Sequence, residues 1–376
     1  MLKVLNEAAA IHGSIKLCLE KGLIFAAYRL PGKSEVTLLV QKSQELIELK
    51  DISKLPVEGG FLVAPFTSSK TDKIFIIRPD IIIRNSVSWA QMQSLVALPE
   101  GLVNGVAKIN PEETLKTDFI DQVDRTIHEI RAGRYEKVVI SRIKNVQGNF
   151  SSRLSDIFQL LCESYDNAFV YLFNIKGHCW AGATPEPLIC SNENKFITVS
   201  LAGTRPYNEM NLNVNNWNSK ERIEQEYVTK YIENVLEDYQ ISGYRKKGPY
   251  VRRAGELLHL STDFKFSFDS VGSNLPNLIS ALHPTSAVCG MPMEKARNFI
   301  QHIEKHDRGY YSGFLGPVGL DGRLQLFVNL RCMRVFPDKL VLYVGGGITA
   351  GSIAEDEWEE TEIKADTLLS IVQQVN

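Results

Sequence analysis

The stretch LVLYVGGGITAGSIAEDEWEETEIK, positions 340 to 364, constrains the fold more than any other part of this chain. An apolar, β-branched run passes through three glycines into a segment crowded with carboxylates. The run reads as a strand and the crowded segment as a helix. Ser352 with Glu355 three residues on makes a capping-box pattern, and Trp358, Ala365, Leu368, Leu369 and Val372 follow at helical spacing. At about 100° per residue, Glu357, Glu360 and Lys364 fall within roughly 60° of one another along one edge of that apolar stripe. They can therefore converge on one object. Acids at a helix start also offset the positive end of the helix dipole, so solvated helix-start charges explain the same residues.

At 376 residues the chain exceeds the usual single-domain size while staying within reach of one large α/β domain. Its 44% hydrophobic and 23% charged residues supply both a packed core and a polar surface. A net charge of −2 with no basic run excludes an electrostatic case for nucleic acid or an anionic membrane. The six cysteines form no CxxC and no Cys/His cluster of zinc spacing, which reads as free thiols in a reducing cytosol. MLKVLNEAAAIHG, with Glu7 and His12, lacks the apolar core of a signal peptide, and IFII (74 to 77) and III (81 to 83) are far short of a membrane span. The expectation is a soluble, cytoplasmic protein.

Up to about residue 105, GLIFAAYRL, EVTLLVQ, GGFLVAPF and DKIFIIRPDIIIR read as strands of a mainly antiparallel sheet, with no site chemistry. A helical pattern from Thr114 to Arg131 ends at Gly133, and YEKVVISRIKNV then places Lys137, Val139 and Ser141 on one face of a strand. That lysine is either a solvated edge charge or, if enclosed, a base. Glu186, caught between Pro185 and Pro187, is a loop ornament or a rigidly positioned acid. Gly203 and Thr204 end a strand, where they form a plain turn or hold an anionic oxygen. In SKERIEQEYVTKYIENVLEDY, Val228, Tyr231 and Val235 fall within roughly 40° of Glu224, so this acid lies on an apolar helix face. Such a placement is costly unless the acid is paired, protonated or bound to metal. His259 reads first as a satisfied structural histidine. RLQLFVNLRCMRVF reads as one strand with Arg331 inside it, wanting an anion. Gly345, Gly347 and Ala350 match GxGxxA, but no further strand with its acid follows, which excludes a dinucleotide site.

Taken in order, KVVISR, ATPEPL, SLAGTRP, KERIEQEYV, LHPTSAV, HDRGYYSGFLGPVG, NLRC and GGGI…EWEETEIK resemble the chorismate-utilising enzymes, over residues from about 115 to 376. The resemblance implies an α+β fold like that of anthranilate synthase component I: two stacked, mainly antiparallel sheets flanked by helices, with the site in a cleft between them. It implies one chorismate-binding domain over 1–376, with a divergent N-terminal part at 1–113 and the catalytic core at 114–376. It also implies Mg²⁺ held by Glu224 and Glu360 with Glu357 in support, and substrate carboxylates clamped by Arg331 and Lys364. Gly203, Thr204 and Gly345 match backbone and hydroxyl contacts to substrate, and His259, Ala287 and Tyr311 complete the lining. Through the glycines the backbone would approach the substrate closely.

Lys137 stands where the water-adding members, isochorismate and salicylate synthases, have a general base, and where anthranilate synthases have glutamine. Ala202 stands where aminodeoxychorismate synthases carry a nucleophilic lysine. The implied reaction is formation of isochorismate, for menaquinone or a siderophore: Lys137 activates water, and Glu186 protonates the departing hydroxyl. Salicylate synthase is the alternative, and anthranilate synthase component I a more distant one. No glutamine amidotransferase subunit is expected, and the expected state is a monomer. Two departures stand out: Ile223 and Gln225 flank Glu224 where the family has histidine beside it, and Pro206 and Tyr207 follow the AGT motif in place of a second basic residue.

Overall fold

A computed structural model of the chain describes residues 2–52, 59–69, 72–102, 111–255 and 257–375. The end of the strand-rich first third, residues 103–110, lies outside the described residues. Valine-, isoleucine- and aromatic-rich runs form two nine-stranded sheets, antiparallel at every pairing among the described residues. The first sheet runs in the order Gly290–Met291, Lys137–Gln147, Lys339–Ile348, Cys332–Val335, His178–Thr184, Phe169–Ile175, Ile24–Arg29, Val36–Gln41, Ile81–Arg84. The second runs Arg245–Ala254, Leu257–Ser267, Lys195–Pro206, Pro187–Asn192, Arg323–Val328, Phe314–Leu320, Gly60–Ala64, Ile74–Ile77, Ile47–Leu49. The α+β arrangement of two antiparallel sheets with flanking helices agrees with the expectation from sequence.

An aromatic layer joins the sheets face to face. Phe169 of the first sheet stacks on Phe327 of the second with centroids 4.3 Å apart, and Phe61, Tyr171, Trp180 and Tyr343 extend the layer. The outer face of the first sheet is covered by Leu2–Glu20, Leu154–Ser164 and the end of Ala354–Val372, and that of the second by Ser219–Asp238 and Leu275–Leu282. The central strands are thus buried on both faces, which explains their near-continuous apolar runs, whereas the edge strand Arg245–Ala254 is largely exposed.

Several sequence expectations shift at the elements. The helices Leu2–Glu20 and Trp89–Ala97 and the strand Ile47–Leu49 were not anticipated. Their signals were present but short: Ile11, Ile15 and Cys18 are buried at helical spacing, and Ser88 with Gln91 forms a capping box. The box expected at Ser352 does not form. The Ser352 hydroxyl accepts from the Thr349 amide at 3.0 Å, closing the preceding turn, and the helix starts at Ala354 without a side-chain cap. Arg331 is not mid-strand either. The run expected as one strand splits at Asn329–Arg331, where the chain leaves the second sheet for the first. Arg331 adopts φ +48°, and buried Asn329, donating to Tyr310 O at 2.8 Å, secures the crossing.

Candidate active site

The crossing, two strand ends and two helices converge on one cleft of about 710 Å³, open mouth included. Glu186, Gly203, Thr204, Glu224, His259, Ala287, Tyr311, Arg331, Gly345 and Lys364 line it, together with Ala202, Val288 and Leu330. Lys137, Glu357 and Glu360 stand against Gly346 and Gly347, the two glycines that form part of its wall.

Strand register explains the approach. Gly345, Gly346 and Gly347 pair with Ser141, Ile140 and Val139, so the glycines lie beside the start of the strand that Lys137 opens. A β-carbon on Gly346 would lie 3.0 Å from Glu357 Oε2 and 3.7 Å from Glu360 Oε1. One on Gly347 would collide with Glu224 Oε1 and lie 2.7 Å from Lys137 Cε. Functional side chains therefore press on these two glycines, where the sequence reading had assigned the space to substrate. At Gly345 the near neighbour is the Tyr311 hydroxyl, 2.8 Å from such a carbon.

Lys137 is fully buried, which removes the solvated-edge reading. Its Nζ lies 3.1 Å from Glu224 Oε1, outside hydrogen-bonding geometry. Glu186 is buried too, with its carbonyl accepting from the Val328 amide at 2.9 Å. Burial pushes its carboxyl up to about 8, against the opposing pull of Lys137 and Lys364, so it holds its proton at neutral pH. A buried amine and a protonated acid thus share one site.

A β-bulge between Ala202 and Arg205 turns Gly203, at φ +68°, and Thr204 toward the cleft. His259 Nδ1 donates to Gly203 O at 2.8 Å, which leaves Nε2 to accept from Arg331 Nη2 at 2.9 Å. Burial and then the Arg331 charge hold this histidine down at about 3, so it stays neutral. Arg331, lowered by burial to about 10, forms no ion pair among the described residues. A half-buried cation whose side-chain partner among the described residues is a neutral ring is poised for a ligand anion.

Each of three carboxylates meets a lysine: Glu224 meets Lys137, Glu357 meets Lys220 at 2.6 Å, and Glu360 meets Lys364 at 2.7 Å. Lys364 also donates to Gly345 O at 2.9 Å. Burial, then the Glu360 charge, raises the Glu357 carboxyl, whereas for Glu360 the Lys364, Lys220 and Lys137 charges outweigh burial and lower it. Among the described residues no three His, Cys, Asp or Glu side chains close into a finished metal cage. The donors nonetheless suit a hard cation: all are carboxylate oxygens, and Glu357 Oε2 is buried without a hydrogen-bond partner.

The flanking departures find a structural account. Gln225 is buried, its amide nitrogen 3.0, 2.9 and 2.8 Å from the Ser200, Thr229 and Thr262 hydroxyls and so sharing its two hydrogens among them, tying its helix to the second sheet, while Ile223 is exposed. Sequence reading missed two features. Lys220 lies one turn before Glu224, a spacing that was legible. Glu304 and Arg308 form a buried pair at 2.6 Å, and Arg308 donates to Val139 O and Val288 O, bracing the Lys137 strand against the cleft wall.

A buried acid, a buried amine and an arginine without a carboxylate partner around one cleft define an enzyme acting on a small anionic substrate. Residues 80–373 match the family described as chorismate binding enzyme, and the chain belongs to that family. It is 28% identical over 321 residues to the vibriobactin-specific isochorismate synthase of Vibrio cholerae, covering 82% of this chain and 78% of that protein. Its structure resembles that of the protein described as a 2,3-dihydroxybenzoate-specific isochorismate synthase, DhbC, of Bacillus anthracis, with TM-score 0.77 and 25% identity over 96% of this chain and 99% of that one. Anthranilate synthase component I of Streptococcus pneumoniae shares the fold, with TM-score 0.64 and 17% identity over 92% of this chain and 90% of that one.

Proposed function

We propose that this chain is an isochorismate synthase, converting chorismate to isochorismate by adding water at ring C2 with loss of the C4 hydroxyl. The observation that carries the reading is the buried Lys137 amine sharing a site with a Glu186 carboxyl raised to about 8. Lys137 takes a proton from the incoming water, and Glu186 delivers one to the departing hydroxyl. A base and an acid of this kind suit a displacement across the ring. Ala202 in the lining offers no competing nucleophile.

Arg331 and Lys364 clamp the substrate carboxylates, with Gly203, Thr204 and Gly345 supplying backbone and hydroxyl contacts and Ala287 and Tyr311 shaping the walls. His259, kept neutral, holds the Arg331 fork in place through Nε2. Glu224 and Glu360, with Glu357 in support, are the residues that would hold Mg²⁺. When bound, that ion supplies a template and Lewis acid that neutralises the ring carboxylate. No helix among the described residues is long and apolar enough to cross a membrane, and the six cysteines are free. The proposal includes a cytoplasmic location, a monomer, and no amidotransferase subunit, since water is the nucleophile.

Purified protein incubated with chorismate and Mg²⁺, with products separated chromatographically, tests the reading. Isochorismate is expected. Salicylate with pyruvate would make the chain a salicylate synthase, and ammonia-dependent anthranilate would overturn the role of Lys137.

A further inference from the structure

Lys220 has no part in the chemistry above and does not line the cleft. It is the second residue of the helix Ser219–Asp238, where the positive end of the helix dipole disfavours a cation. Yet its ammonium lies 2.6 Å from Glu357 Oε1, and it stands one turn from Glu224 on the same helix face. This ammonium thus holds one of the carboxylates assigned to magnesium, with Glu360 beside Glu357 against Gly346 and Glu224 one turn along its own helix. Its side chain is 30% exposed, against 0% for Lys137 and 19% for Lys364, so among the three lysines it has the freest way out to water. The long, flexible stem makes that departure a matter of rotamer changes alone.

We propose that Lys220 is a built-in competitor for the metal: its ammonium occupies Glu357 and the field of Glu224 and Glu360, and it withdraws to solvent when Mg²⁺ is taken up. The inference rests on the magnesium reading above. Lys220 thereby sets a threshold for metal uptake, because the ion must displace a cation before it gains its carboxylates. It also keeps Glu357 paired whenever the ion is away, which limits the cost of a buried carboxylate.

The test is calorimetric titration of Mg²⁺ into the protein without chorismate, for wild type, Lys220→Met, Lys220→Gln and Lys220→Arg. Removing the competing charge is expected to tighten Mg²⁺ binding roughly three- to tenfold in the Met and Gln variants, with Arg close to wild type. Melting temperatures read the same linkage: the Met variant melts lower without Mg²⁺ and gains more on its addition. Wild type that binds no measurable Mg²⁺ beside a Met or Gln variant that binds it also supports competition. Unchanged or weaker binding in Met and Gln, with wild type binding, overturns the proposal and leaves the magnesium reading intact. Absence of binding in every protein sinks the magnesium reading and this inference with it, whereas the isochorismate assay judges the reaction separately.

Discussion

At the scale of single residues, burial selects the chemistry. Glu186 and Glu221 are both glutamates, but Glu221 is clamped by Arg205 at 2.7 Å near the surface while Glu186 faces an enclosed cleft. Burial raises the Glu186 carboxyl to about 8 from the ordinary 4.5. The sign follows directly: the acid form persists below about pH 8 and disappears above it, so kcat/KM is expected to fall as pH rises past that value. Glu186→Gln cannot donate a proton, and should lose about 10²- to 10⁴-fold in rate with that alkaline limb flattened. A variant keeping the limb would assign it to another group. The sequence announced Glu186 by its flanking prolines, and stated that Glu224 lay on an apolar helix face. It carried no sign of how deeply either would be enclosed, since enclosure comes from residues on other strands.

At the scale of elements, the glycine end of Lys339–Ile348 is the meeting point of two helices and a neighbouring strand. Gly347→Ala would push against Glu224 Oε1 and Lys137 Cε, both ends of flexible side chains. The fold can absorb that shift, whereas a site in which 1 Å misplacement costs about 10²-fold cannot. The expected outcome is a near-unchanged melting temperature with turnover down roughly 10²-fold, measured by thermal denaturation and steady-state rates. Wild-type turnover in this variant would mean that the two side chains need no such contact. Long periodic elements were legible: the helix carrying Glu224 and the strand opened by Lys137 form as expected. Boundaries were not. Ser352 satisfied a capping pattern yet serves a turn, because the competing local hydrogen bond to Thr349 wins.

At the scale of the molecule, the first third is structural. Before residue 113 the chain supplies three strands to each sheet, including Phe61 of the aromatic layer. A fragment of residues 114–376 would expose those edges and half-empty that layer, so we expect no cooperative unfolding transition, as read by circular dichroism against denaturant. A fragment that unfolds cooperatively would instead make the N-terminal part an appendage. By itself the sequence determined the elements of strong hydrophobic period and the order of motifs, which are local properties of the chain, and through their resemblance to the chorismate-utilising enzymes those motifs implied the fold class and the candidate site residues. Only the tertiary structure decided that Lys137 is enclosed, that Arg331 stands at a crossing between sheets, and that Lys220 meets the same carboxylates as the proposed metal. These rest on contacts between residues distant in sequence, such as Lys220 and Glu357, 137 positions apart. Their existence depends on how two sheets and their helices pack, which no local pattern encodes.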